Sequence, residues 1–407
     1  MRVNLLNQPD ISDGAARATY RIHHSLRSYG IDSRMLVNRA SAGDWTVSAP
    51  TGAWSKIRIA GSRYAGSRMA RTYKTGKHSP AIIPSDRVNA LNASDADLVH
   101  LNWINGVMLS IADIGRIKKT LVWTLHDMWA FCGAEHYTDN ERWQSGYTRA
   151  NRPPEESGFD LNRWTSIRKQ KHWQTPMSIV TPSQWLANCV KASALMQSWP
   201  VTVIPNAIDT GAWKPIEQAL ARELLGLQPD TPMLLCGAIG GAQDPRKGFD
   251  LLREALQHLN GQLPGLHLLV FGETAPKVAP DLGFPVHYTG RIYDDLNLRA
   301  LYSAADALVI PSRQDNLPNT GLEALSCGTP VVAFDTGGLA DIVDHKQTGY
   351  LACAFDTKDM AEGLAWVLDH SDSKSLHANA RSKAIESFDN TVIAQRYAKL
   401  YEEVLSP

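Results

Sequence analysis

The chain of 407 residues carries no surplus of charge, because 41 Lys+Arg balance 41 Asp+Glu. Proteins that grip nucleic acid through its phosphates show a basic excess, so that class is set aside. Cysteine is scarce: Cys132, Cys189, Cys236, Cys327 and Cys353 are scattered without paired metal spacing. That scatter fits reduced thiols in a cytosolic protein better than a disulfide framework. No apolar stretch approaches the roughly 20 residues that a membrane-spanning helix needs. The N-terminus opens on Arg2-Val3-Asn4-Leu5-Leu6-Asn7, which reads as a strand and not as a secretory leader. Internal repeats and low-complexity tracts are also lacking.

What the chain has is alternation. Short apolar runs stand at 3–7, 33–38, 98–103, 121–126, 178–182 and 201–205, and again at 233–238, 266–272, 286–290, 307–311, 331–334 and 350–352. Helical patterns fill gaps between them, for example 249–259, 296–305 and 359–368. Apolar runs of this kind, separated by amphipathic segments, predict parallel strands covered by helices on both faces. The length is comfortable for two domains. The expected fold class is therefore α/β, with two doubly wound Rossmann-like domains facing a central cleft and ligands at the carboxyl ends of the strands. Expected boundaries are 1–206, 207–388, and a closing helical segment 389–407.

The most informative stretch runs from Ile310 to Val332. It reads as a buried strand, an irregular loop, a helix and a second buried strand. Asp315 and Glu323 flank the helix start. Unpaired N–H groups and about half a positive charge at a helix N-terminus suit a phosphate. A carboxylate one turn in can accept hydrogen bonds from vicinal hydroxyls, as on a ribose. Together they suggest a pocket for a phosphate ester of a sugar.

This segment resembles the donor-site signature of retaining GT-B glycosyltransferases of family 4: an acid, seven residues, Glu, then Ala and Gly-x-Pro-Val. Here the acids are Asp315 and Glu323, with Asp in place of the more usual Glu and Asn316-Leu317-Pro318 replacing a Gly-Phe-Gly-like run. Pro318 offers no backbone donor. Other segments share the resemblance. Val203-Ile204-Pro205-Asn206-Ala207-Ile208-Asp209 is similar to the family's interdomain joint, and 392–405 to its C-terminal helix that crosses back to the first domain. Lys247 in Asp244-Pro245-Arg246-Lys247-Gly248 matches a lysine that neutralises the donor diphosphate. The family's earlier arginine is absent where this chain reads Gly237-Ala238-Ile239-Gly240-Gly241, and Arg246 is taken as its substitute. Asp13-Gly14-Ala15-Ala16-Arg17 resembles a Gly-Gly-Ala-x-Arg loop, which places Gly14 beside the donor phosphate or acceptor; the plain alternative is a helix capped by Asp13. His126, in Thr124-Leu125-His126-Asp127, resembles the histidine that faces the donor sugar, with His100 ranked below it. Val286–Gly290 and Ile292 resemble the segment holding the nucleotide base. Thr336-Gly337-Gly338 is similar to an architectural glycine turn.

The resemblance implies transfer of a hexose from a nucleoside diphosphate sugar, a UDP-hexose, to a hydroxyl with retained configuration. Domain 1–206 would take the acceptor and domain 207–388 the donor. Catalytic roles fall to His126, Asp315 and Lys247. Donor contacts fall to Gly14, Arg246, Lys247, Gly290, Ile292, Asp315, Asn316, Leu317, Asn319, Thr320 and Glu323. No metal and no cofactor is expected, since Cys132 and His136 alone do not make a site. Expected partners are the nucleotide-sugar donor and a glycan or lipid-linked acceptor of bacterial surface polysaccharide synthesis, with no nucleic acid. The segment 54–77 carries Lys56, Arg58, Arg63, Arg68, Arg71, Lys74 and Lys77 without an acid. It suits an anionic inner-membrane face, so the expected location is cytoplasmic, at that face. Two rivals share the fold: a nucleotide-sugar 2-epimerase and a non-catalytic sugar-nucleotide-binding subunit.

Overall fold

The chain builds two parallel sheets, and their inner strands, such as those at Leu98–Leu101, Ala307–Ile310 and Val331–Phe334, are buried on both faces. In the computed structural model all residues are described except 51, 53–56, 62, 63, 65–67, 70–75, 106, 238–243, 277–279, 293, 372, 373 and 407. The first sheet contains β1 (Arg2–Leu6), β2 (Asp32–Leu36), β3 (Val47–Ser48), β4 (Leu98–Leu101), β5 (Thr120–Thr124), β6 (Ser178–Thr181) and β7 (Val201–Val203). The second contains β8 (Met233–Gly237), β9 (His267–Phe271), β10 (Val286–Gly290), β11 (Ala307–Ile310), β12 (Val331–Phe334) and β13 (Gly349–Ala352). Strand orders are β3-β2-β1-β4-β5-β6-β7 and β10-β9-β8-β11-β12-β13, parallel throughout. Each order runs outward in one direction and then reverses, at β1/β4 and at β8/β11. This is the doubly wound, Rossmann-like arrangement.

The second sheet shows why its strands read as unbroken apolar runs. Successive residues point to opposite faces. Met233, Leu235, Leu269, Phe271, Leu308 and Ile310 feed one core, while Leu234, Cys236, Leu268, Val270, Ala307 and Val309 feed the other. Helices cover both sides, so these strands lose the polar alternation of a half-exposed sheet, whereas the edge strand β10 keeps it, with His287 and Thr289 exposed.

The chain divides into two compact units, Met1–Pro205 with Ile393–Pro407, and Asn206–Val392. The last helix, Asn390–Leu405, is thus shared: from Ile393 on it packs with the first unit. Its Tyr397 hydroxyl meets Thr124 Oγ1 at 2.9 Å and its Tyr401 hydroxyl meets His100 Nδ1 at 2.6 Å. His100 Nε2 lies 2.7 Å from the same threonine. Both nitrogens of His100 are therefore occupied inside the protein, and burial pushes the ring's pKa down to about 3. This histidine is a structural one.

The aromatic loop after β5 is fixed by Lys169, a fully buried cation on helix Leu161–His172. Its Nζ donates to the carbonyls of Trp129, Cys132 (3.1 Å) and Gly133 (2.7 Å), and it lies 3.9 Å from the Trp129 ring. Cys132 is consumed in this packing. His136 is held at Nδ1 by Asp127 Oδ2 (2.6 Å) and at Nε2 by Ser79 Oγ (2.8 Å).

No helix among the described residues is long and apolar enough to cross a membrane. Of the basic segment, Lys56, Arg63, Arg71 and Lys74 lie outside the described residues. Arg58 is half-buried and donates to Val107 O at 3.3 Å, and Lys77 lies 3.9 Å from the Trp103 ring.

Candidate functional site

In the second unit, the groups that the sequence singles out converge where the strand order reverses. Lys247 follows β8 and Asp315 follows β11, and those strands are neighbours. After β8 the residues 238–243, which include most of the loop lacking the family's arginine, lie outside the described residues. The chain resumes at Asp244, which caps a short 3-10 turn, Pro245–Lys247, by accepting from Arg246 N at 3.1 Å. Gly248 then takes φ +66°, and a Cβ there would sit 1.9 Å from Pro311 O. Only glycine permits this approach of the turn to the β11 loop. The turn's close seat is what brings Lys247 to Asp315.

Lys247 Nζ lies 2.6 Å from Asp315 Oδ2. Arg246 flanks the pair, with Nη1 3.8 Å from Asp315 Oδ1 and 2.9 Å from Gln314 O, and Nη2 3.1 Å from Asp244 Oδ2. Asp315 is buried, and it also accepts from its neighbour Asn316 N at 3.1 Å. Burial alone would raise its pKa. Lys247 and then Arg246 outweigh that, so the carboxyl titrates below its ordinary range and stays ionised.

A second tie locks the two loops. Arg313 makes a two-pronged ion pair with Asp250, at 2.7 and 2.6 Å, and donates to Pro245 O at 2.9 Å. From the other side the glycine turn closes on Asp315. Gly338 N donates to Asp315 O at 2.9 Å, and Gly337, at φ +58°, would place a Cβ 2.3 Å from that oxygen. The turn is architectural for this specific reason.

Helix Asn319–Ser326 begins after Pro318, and no side chain caps it. Its first turn is fixed from outside: Asn206 Nδ2 donates to Leu317 O at 3.0 Å and contacts Asn319 Oδ1 at 3.4 Å. Thr320 is half-buried in that turn. One turn in, Glu323 is buried and its Oε2 accepts from Tyr302 OH at 3.0 Å. The Leu317 side chain is buried in the core of the second unit, which leaves its backbone for the donor contact expected of this loop. Gly290 has φ +71° where the β9/β10 register shifts, and Ile292 packs against the same core.

The first unit holds the remaining candidates. Asp13 caps helix Gly14–Ser28 by accepting from Ala16 N at 3.0 Å. A Cβ at Gly14 would meet nothing within 4 Å, so the protein's own packing does not require glycine there. His126 is half-buried, two residues past β5, with Nε2 3.1 Å from Asn102 Oδ1 and 3.4 Å from Thr19 Oγ1. Burial, only partly countered by Asp127, pushes its pKa down to about 4, so the ring is neutral at pH 7. Sequence reasoning missed Asn102, Thr19, Asp244, Asp250 and Arg313 as members of these clusters. A polar residue directly after an apolar run was the available signal for Asn102.

Comparison with known proteins adds to this geometry. Residues 12–212 match the family model "Glycosyltransferase Family 4", and residues 234–370 match "Glycosyl transferases group 1". A D-inositol 3-phosphate glycosyltransferase of Segniliparus rotundus is 33% identical over 161 residues, covering 37% of this chain and 35% of that protein. The enzyme of the same description from Saccharomonospora viridis is 28% identical over 226 residues, 51% of each chain. The chain thus spans about a third to a half of the length of the curated relatives it matches. Among solved structures, Anabaena HepE in complex with UDP-glucose superposes with TM-score 0.65 at 17% identity, covering 99% of this chain and all of that one (100%). Sucrose-phosphate synthase from Thermosynechococcus elongatus gives TM-score 0.65 at 17% identity, covering 99% and 98%. At such identity these likenesses show the fold, two parallel α/β sheets of the GT-B type. The chain carries a glycosyltransferase family 4 domain followed by a glycosyl transferases group 1 domain.

Proposed function

We propose that this chain is a retaining, metal-independent hexosyltransferase. It moves a hexose from a nucleoside diphosphate sugar, a UDP-hexose, to a hydroxyl of a glycan or lipid-linked acceptor in bacterial surface polysaccharide synthesis. The observation that carries this reading is the Lys247–Asp315 pair, flanked by Arg246, at the strand-order reversal of the second unit. Ligands of doubly wound sheets bind at that point. Departure of a nucleoside diphosphate develops negative charge, and fixed cations with the amides of an uncapped helix N-terminus stabilise it without reorganising.

Roles follow by position. Lys247 and Arg246 neutralise the diphosphate, and the backbone from Asn316 to Thr320 receives its oxygens except at Pro318, which has no N–H. Asp315 accepts from hexose hydroxyls, Glu323 from ribose hydroxyls, and the backbone around Gly290 and Ile292 holds the base. By the family resemblance, His126 serves the sugar or acceptor side. The leaving phosphate itself takes the acceptor's proton, so no separate base is required. Support comes from the two domain matches, from relatives described as D-inositol 3-phosphate glycosyltransferases, and from the UDP-glucose complex of the HepE neighbour. Those relatives also name a second acceptor to test, a phosphorylated inositol.

The test is release of nucleoside diphosphate from UDP-, GDP- and ADP-hexoses, with lipid-linked glycans and inositol 3-phosphate as acceptors. Acceptor-dependent UDP release is expected. Interconversion of hexoses without any acceptor, or binding without release under every acceptor, would overturn the proposal.

A further inference from the structure

His126 is approached by side chains from two other elements of the first unit, and their proton inventory decides the state of its ring. Thr19 Oγ1 donates its only proton to Ala15 O, 2.8 Å away. Toward His126 Nε2, at 3.4 Å, the hydroxyl therefore presents a lone pair. Asn102 Oδ1, 3.1 Å from the same nitrogen, is an acceptor as well. Two acceptors facing one ring nitrogen require that nitrogen to carry the proton. A neutral imidazole holds one N–H proton, so Nδ1 is left with a bare lone pair. Nδ1 has no hydrogen-bond partner among the described residues.

Asn102 is an unusual choice for packing alone. It is buried, and its Nδ2 has no hydrogen-bond partner among the described residues. A buried donor left unmet costs about 1–3 kcal/mol, which an apolar residue of similar shape would avoid. The backbone at this position is held regardless of the side chain: Asn102 N donates to Leu6 O at 2.9 Å, and Trp123 Nε1 donates to Asn102 O at 3.1 Å. What the carboxamide adds is an oxygen aimed at His126.

We propose that Asn102 and Thr19 are positioning residues that lock His126 as its Nε2–H tautomer, so that Nδ1 accepts a hydrogen bond from a sugar hydroxyl. The sugar identity rests on the glycosyl-transfer reading above; the tautomer does not. An Nδ1–H ring would present a donor instead, and the bound hydroxyl would have to turn its lone pair toward it.

The experiment is a long-range ¹H–¹⁵N correlation spectrum of the full chain labelled with ¹⁵N-histidine at pH 7, with His126 assigned through His126→Gln. A protonated Nε2 and a bare Nδ1 are expected. In Asn102→Leu the ring should become a mixture of tautomers, and kcat should fall roughly tenfold, the scale of one hydrogen bond, with the donor KM nearly unchanged. In Asn102→Asp the Nε2–H form should persist while the carboxylate raises the ring's pKa, which moves the acid limb of kcat to higher pH. A protonated Nδ1 in the wild type, or a tautomer unmoved in Asn102→Leu, overturns the proposal. If the tautomer is as stated and no nucleotide sugar is turned over, the positioning stands and the glycosyl-transfer reading fails.

Discussion

Lys247 and Asp315 are 68 positions apart in sequence and 2.6 Å apart in space. The strand order explains both numbers. β8 and β11 are neighbours because the chain runs out through β9 and β10 and returns, and each residue sits on the loop that follows its strand. Asp315 is almost wholly inside while Lys247 is about a third exposed, with side-chain accessibilities of 11% and 33%. A double-mutant cycle with Lys247→Met and Asp315→Asn should give a coupling of roughly 0.5–3 kcal/mol in urea unfolding of the second unit. Asp315→Asn should be milder than Lys247→Met, because removing the lysine leaves a buried carboxylate whose remaining cation among the described residues is Arg246, at 3.8 Å. Additive single effects would show that the pair is not formed in solution.

Gly248 offers a test that leaves every charged group in place. An alanine there must hold φ near +66° and put its Cβ 1.9 Å from Pro311 O. The conformational cost alone is about 1 kcal/mol or more, and the clash forces the 3-10 turn off the β11 loop. Gly248→Ala should weaken binding of UDP and UDP-hexoses at least tenfold by calorimetry while circular dichroism stays native. Undiminished affinity would mean that the seat of the turn does not position Lys247.

Acid should loosen the first unit before the second. His23 is fully buried, with Nδ1 and Nε2 each 2.8 Å from a hydroxyl, of Ser33 and Thr46, and burial lowers its pKa to about 4. His100 is lowered to about 3 for the same reason. An unfolded histidine binds its proton near pH 6.5. Between that pH and about 4 the unfolded chain therefore holds more protons than the folded one, and stability falls with pH. The slope is up to about 1.4 kcal/mol per pH unit for each histidine. The carboxylates act lower: Asp44 and Asp127, both depressed to about 2, contribute stability above their unfolded values and lose it only as pH falls from about 4. Hydrogen exchange at pH 7 and pH 5 should show faster opening of β1, β2, β4 and β5 at the lower pH. Equal acceleration in both units would contradict the assignment.

The architecture was legible because parallel strands buried on both faces write themselves as short apolar runs. The twelve runs correspond to β1, β2 and β4–β13. β3 was missed: Val47–Ser48 is a two-residue edge strand with no apolar run to announce it. Asp315 and Glu323 were legible from their spacing across a loop and a helix start. Their partners were not. Lys247 to Asp315, Arg313 to Asp250 and Tyr302 to Glu323 join residues brought together by strand order or by helix packing, which no local pattern encodes. Thr19 and His126 are likewise 107 positions apart.

The central claim is that the second unit seats a nucleoside diphosphate sugar on the amides before helix Asn319–Ser326, against Lys247. The most direct measurement is a crystal structure of the chain soaked with a UDP-hexose. The account predicts a diphosphate within hydrogen-bond reach of Lys247 Nζ and of backbone N–H groups between Asn316 and Thr320, with the ribose on Glu323. Density for the ligand elsewhere, with the Lys247–Asp315 seat unoccupied, would contradict it.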